Sequence, residues 1–285
     1  MFRFFNLLWK AVWRAFQHDA FAIAKASAYS SILTFFPTLL VVGSVLSTGK
    51  STQVYSREIS SALSHILPAG ASTVQGYLRG TSLRSVGFLV TTSLLTLWLA
   101  SGVMISWMEG FRRCYELPKI WGLVKERIIA LSLVVLAGIP LTFATILIAF
   151  GSRIEIAILS SLDRELGLFV LLMWTLIRWL IAILTSVSVI ALIYHNAVPR
   201  TQPWHSVLPG ATLATGLWFV VTMLFGWYLQ NYADYSVIYG SLGVAIALLV
   251  WMYLISLVIL IGAEFNAMLF PRSRLGTELG IGNSK

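Results

Sequence analysis

The stretch SLGVAIALLVWMYLISLVILIGA, running from Ser241 to Ala263, contains no Asp, Glu, Lys or Arg. An uncharged apolar run of about 18 residues or more reads as a membrane span. Hydrocarbon offers no partner for backbone N–H and C=O groups, so a span must be a helix or belong to a closed barrel. The run lacks the apolar/polar alternation of a barrel strand, which leaves a helix. Five more segments meet the length criterion: Ser27 to Thr48, Val86 to Met108, Ile128 to Phe150, Leu172 to Tyr194 and Val207 to Leu229. Each covers about 30 Å or more at about 1.5 Å per residue. The fourth is interrupted by Arg178. The expected fold class is all-α, a polytopic six-span bundle with interfacial amphipathic helices, formed as a single membrane domain over 1–270 with a short disordered cytoplasmic tail at 271–285.

Composition agrees. Apolar residues make up 58% of the 285 positions and charged residues 11%, against roughly 25% charged in a soluble globular chain. Thirteen of the twenty Lys and Arg fall in the amino end, the loops after spans two and four, and the tail; six fall on the opposite side, and Arg178 is the twentieth. By the positive-inside rule both termini are expected in the cytoplasm. With a net charge of +9, the expected partners are membrane phospholipids, above all an anionic inner leaflet. Cys114 is the one cysteine, so no intramolecular disulfide forms.

Two amphipathic segments flank the first span. Near the amino end, Arg3, Asn6, Lys10, Arg14 and Gln17 face one way, and Phe5, Leu8, Trp9, Val12, Ala15 and Phe16 mostly the other. Such a helix lies in the interface with its cations toward headgroups. In the loop after span one, Tyr55, Ile59, Ala62, Leu63, Ile66 and Leu67 recur at helical spacing before Pro68-Ala69-Gly70, and a second short helix is expected over Ala71 to Leu78. This outer hairpin either caps the bundle or acts as a lid.

Candidate binding residues cluster around helix irregularities. Pro37 and Pro140 fall near the middle of spans one and three, each freeing a carbonyl one turn earlier, at Leu33 and Leu136. Ser30, Ser31 and Thr34 beside the first, and Thr142 and Thr145 beside the second, can bond backbone or line a polar cavity, as broken helices do in transporters. Kinks that only improve packing are the competing reading. Arg178 shares a helical face with Thr175, Ala182 and Thr185. An intramembrane arginine snorkels, pairs or faces water, so Arg178 either reaches outer headgroups or lines a cavity for an anionic or polar substrate. Glu109 and Glu264 mark the inner ends of spans two and six, near Arg112, Arg113 and Arg127, and are read as an interfacial ion-pair network.

Several chemistries lack their motifs. There is no phosphate loop, no His pair at helical metal spacing and no nucleophile elbow. His18, His65, His195 and His205 are dispersed. No catalytic residue, metal, cofactor or nucleic-acid partner is expected. The small residues of spans five and six permit close helix approach within the chain or in a homo-oligomer.

Tyr239-Gly240-Ser241-Leu242-Gly243, Leu249-Val250-Trp251-Met252-Tyr253-Leu254 and Leu260-Ile261-Gly262-Ala263-Glu264-Phe265-Asn266-Ala267 form a pattern. Joined to it are Ala28-Tyr29, Phe35-Phe36-Pro37, Pro209-Gly210-Ala211 and Leu217-Trp218. The chain resembles the YihY/BrkB-like family of bacterial inner-membrane proteins. That resemblance implies a six-span bundle in the cytoplasmic membrane and brings three labels: a tRNA-processing ribonuclease, a virulence or serum-resistance factor, and a role in moving envelope lipids. The residues offer no clustered His and Asp for a metal nuclease. The expected function is a non-enzymatic transporter or lipid-handling protein for an amphiphilic or anionic envelope substrate. The alternative is a scaffold docking envelope or cytoplasmic partners.

Overall fold

The structure, a computed structural model, describes residues 2–47, 86–159, 164–199, 202–231 and 242–271. The outer hairpin expected between Tyr55 and Leu78, and the tail from residue 272 onward, lie outside them. The described residues form seven helices and no strand: α1 Phe2–Gln17, α2 Ala20–Ser47, α3 Val86–Cys114, α4 Leu123–Leu159, α5 Arg164–Asn196, α6 Trp204–Asn231 and α7 Leu242–Leu269. The six from α2 to α7 are each long and apolar enough to cross a membrane.

Every helix from α2 to α6 packs on the next in sequence, and α7 closes the ring against α2 while also touching α3, α6 and α1. From α3 onward, connections of four to ten residues make sequential helices antiparallel neighbours. Several helices outrun the expected spans: α2 begins at Ala20 instead of Ser27, α4 covers 123–159, and α7 continues to Leu269. Hydropathy marks the length in hydrocarbon, whereas the helix persists for as long as its polar residues find partners.

The end of the bundle beside α1 is tightly packed. Among the residues whose exposure is described, α2 buries none after Ala28, α4 none after Ala137, α5 none before Val189 and α6 none after Thr215. The filling of the sealed end is Phe111, Leu133, Tyr194 and Leu260, all almost fully buried. Phe111 meets Tyr194 edge-on with ring centroids 5.1 Å apart, a favoured aromatic geometry. Toward the opposite end, large apolar side chains such as Phe36, Leu94, Phe143, Leu176 and Met223 are exposed, as a lipid-facing surface requires.

α6 and α7 approach most closely at Gly210 and Gly262. A Cβ on Gly262 would fall 2.5 Å from the Tyr194 hydroxyl oxygen and 2.7 Å from the Gly210 carbonyl. Small residues permit such backbone approach in membranes. Asn266 locks the contact: its amide accepts from the Gly210 N–H at 2.6 Å and donates to the Val207 carbonyl at 3.0 Å. Tyr194 donates to the Ile259 carbonyl at 2.5 Å. Gly262→Val is expected to lower the thermal midpoint in detergent by several degrees, at a cost of about 2 kcal/mol from overpacking. Gly226→Ala, where an added Cβ meets nothing within 4 Å, should be neutral or slightly stabilising because alanine is the better helix former. Equal midpoints for the two variants would contradict the close contact.

Candidate functional site

Two tight turns set the polar groups of the sealed end. α1 passes to α2 through His18 and Asp19, the latter left-handed at φ 59°. α3 ends in a Schellman turn: Leu117 N–H donates to the Arg112 carbonyl and Glu116 N–H to that of Arg113, with Glu116 left-handed at φ 51°. These turns bring Asp19 and Glu116 to one rim. Arg113 donates to Asp19 at 2.7 Å and to Glu109 at 3.0 Å, and Arg112 also bonds Glu109. Of the five residues expected around the ion-pair network, Glu109, Arg112 and Arg113 therefore meet, with Asp19 added.

Glu264 belongs to a different cluster. It is fully buried, bonds His18 Nδ1 and stands 3.5 Å from Arg14 Nε. The expectation of an interfacial Glu264 beside Arg112 and Arg113 is thus corrected: five more helical residues of α7 follow it, and α1 folds over it. Arg14, expected to face headgroups, turns inward instead. Ala11 and Ala15 are fully buried, whereas Trp9, Trp13 and Phe16 are more than half exposed. The small alanines let α1 dock on α7. Neighbouring Tyr115 is largely buried, which pushes its phenol well above its ordinary ionisation range.

The expected binding residues divide into separate groups. Ser31 donates to the Ser27 carbonyl at 2.9 Å and Thr34 to that of Ser30 at 2.7 Å, so each hydroxyl bonds its own helix one turn back. Neither serves the carbonyl of Leu33 that Pro37 frees. Thr142 does the same toward Gly138 at 2.7 Å and is exposed, two residues past Pro140. Because α2 and α4 are not neighbours in the ring, the two proline regions are not brought together. Arg178, Thr175 and Thr185 do share one half-buried face of α5, continuous with buried Val189 and Ile193, while Leu176, Ile177, Trp179, Leu180 and Leu184 are exposed on the other side. That face is the one α5 turns toward the helices packed on it.

Sequence reading missed His18, Arg14 and Asn266. Asn266 had a signal in its place beside Gly262 on a small-residue face. The pairing of His18 with Glu264 spans 246 positions and has no local signature. Removing His18 takes the hydrogen-bonding partner from a fully buried carboxylate and leaves only Arg14 Nε, 3.5 Å away, to offset its charge, a costly state. His18→Ala should therefore lower the thermal midpoint more than Glu264→Gln, which removes the charge and keeps the shape; the reverse order would show that His18 contributes little.

Among the described residues no group of three His, Cys, Asp or Glu is placed to hold a metal ion. No solved structure matches the chain. A Bacillus subtilis protein described as ribonuclease-like, YfkH, is 27% identical over 263 residues, covering 92% of this chain and 94% of its own length. A UPF0761 membrane protein of Tolumonas auensis is 30% identical over 281 residues, 94% of this chain and 85% of its own. Another, from Photobacterium profundum, is 28% identical over 276 residues, 92% and 80% respectively. The signature of the family described as virulence factor BrkB matches residues 11–279. With this span matched and the helical ring in place, the chain belongs to the BrkB family of multi-pass membrane proteins.

Proposed function

We propose that the chain is a non-enzymatic transporter or lipid-handling protein of the bacterial inner membrane, acting on an amphiphilic or anionic envelope substrate. The observation that carries this reading is the asymmetry of the ring. One end is sealed by Phe111, Tyr194, Leu133 and Leu260, whereas among the described residues the other buries only the side chains of Thr92, Ala247 and Leu248. Between them Arg178 continues the packed face of α5 into the loose half. A cation held there, flanked by Thr175 and Thr185, suits a headgroup anion better than the apolar surface around it does.

Charge distribution supports the orientation. Arg14, Arg112, Arg113 and Lys119 all engage carboxylates at the sealed end, and positive residues are retained on the cytoplasmic side. The sealed end then faces the cytoplasm, with both termini, and the loose end faces outward. Transport requires the opposite arrangement to be reachable, and α2 and α4 carry Pro37 and Pro140 beyond their last buried residues, Ala28 and Ala137, where a helix can bend. The ribonuclease-like description of the Bacillus relative finds less support here. His18 is engaged by Glu264, His195 by the Gln202 carbonyl and the Trp204 ring, and His205 by Phe270.

In liposomes holding the purified protein, movement of labelled phospholipid or anionic amphiphile should exceed that of empty vesicles. Arg178→Gln should reduce it about tenfold or more while inserting normally; full activity in that variant removes the substrate role. Orientation is checked separately. In a Cys114→Ser background, Thr185→Cys should react with an impermeant maleimide added outside and Ala214→Cys should not. Labelling of Thr185→Cys only from the inside would invert the assignment.

A further inference from the structure

Arg127 stands apart from the other basic residues of the sealed end. Its guanidinium meets neither Glu109 nor Glu264; it donates to Ser101 Oγ at 2.9 Å and lies 4.1 Å from the centroid of the Trp98 ring. Ser101 precedes the end of α3 by thirteen residues, about 20 Å along a helix. Arg127 thus reaches into the groove between α3 and α4, well inside the apolar length of α3.

The ion pairs of the neighbourhood do not include it. Glu126 pairs with Lys119 at 3.3 Å, and Glu109 with Arg112 and Arg113. Among the described residues the groups held by Arg127 are the Ser101 hydroxyl and the Trp98 face. A guanidinium has five N–H donors in a planar fork, so donors are left over. Around them the surface is apolar and open: Leu94, Leu95 and Trp98 on α3, and Leu123, Val124 and Ile128 on α4, are all more than half exposed. Ser101 itself is fully buried beneath the arginine.

We infer that the α3–α4 groove is a binding site for one phospholipid, its phosphate held by Arg127 and its acyl chains laid along Leu94, Leu95 and Ile128. A half-buried cation facing hydrocarbon needs a counter-anion, and the lipid phosphate is the one anion that surface supplies everywhere. A guanidinium matches phosphate oxygens through two parallel hydrogen bonds. The same groove places the first turn of α4 nearby, whose free N–H groups and positive dipole end favour an anion, with Lys125 exposed beside it. Trp98 holds the guanidinium plane by a cation–π contact, which fixes the direction of the fork. The site lies on the outside of the ring and does not depend on transport through it.

The test is native mass spectrometry of the full chain in detergent titrated with dioleoylphosphatidylglycerol. The wild type should retain one lipid, and Arg127→Gln should bind it roughly tenfold more weakly, the scale of one charge-assisted hydrogen-bonding group. Lys125→Gln should stay within about twofold. Equal retention by Arg127→Gln and the wild type overturns the site. Should Arg127→Gln fail to fold, phosphatidylglycerol brominated on its acyl chains gives a second readout on folded protein. Quenching should fall on replacing Trp98 with Phe, and an unchanged quenching profile also overturns it. Because Arg178 is itself proposed to meet a headgroup, the comparison is repeated in an Arg178→Gln background, where Arg127→Gln should still weaken retention roughly tenfold; loss of that difference overturns the site.

Discussion

The contact of α6 with α7 at Gly210 and Gly262 is the constraint from which the sealed end is built. Removing a Cβ at each position brings two backbones close enough for Asn266 to bond α6 directly. The space left above Gly262 admits the Tyr194 hydroxyl, which reaches the Ile259 carbonyl. Phe111 can then stand edge-on against the Tyr194 ring. In a membrane no hydrophobic force drives helices together, so association relies on this kind of close packing and hydrogen bonding. Had α7 been held farther away, Tyr194 would have lost its acceptor and the centre of the ring its filling.

Electrostatics at the same end follow from the register that this contact sets. Glu264 lies two residues before Asn266 on α7, so fixing Asn266 fixes where the carboxylate enters the protein. Its burial is compatible with folding only because Arg14 of α1 and His18 of the turn after it meet the carboxylate. The exposed pairs at the rim, Arg113 with Asp19 and Arg14 with Glu116, are different in kind: partly solvated, they add little individually. A separate buried polar link, Ser256 to Ser27 at 2.9 Å, ties α7 to α2 one level farther in.

The membrane fold was legible because hydrocarbon imposes length and composition on each segment separately. Uncharged runs such as Ser241 to Ala263 identify themselves without reference to any partner. The shared face of Arg178, Thr175 and Thr185 was legible for a similar reason, since helical spacing orders residues locally. What was not legible depended on distant contacts. Arg14 and Arg127 read as ordinary inward-side charges because a linear sequence does not show that one turns onto Glu264 and the other onto Trp98 and Ser101. Ser31, Thr34 and Thr142 were open to bonding backbone or lining a cavity, and each closes on a carbonyl of its own helix, a use that needs no neighbour at all.

The docking of α1 over Glu264 has a consequence for biogenesis. The carboxylate sits in α7, whereas its partners Arg14 and His18 precede α2, so five membrane-crossing helices are synthesised between them. α1 is made before α7, so its docking over Glu264 is completed only once α7 is laid beside it. A chain interrupted before α7 would have no carboxylate for His18 to meet and no glycine face for α6 to close upon. The pairing across 246 positions therefore makes compact packing of this end conditional on α1 and α7 both being present.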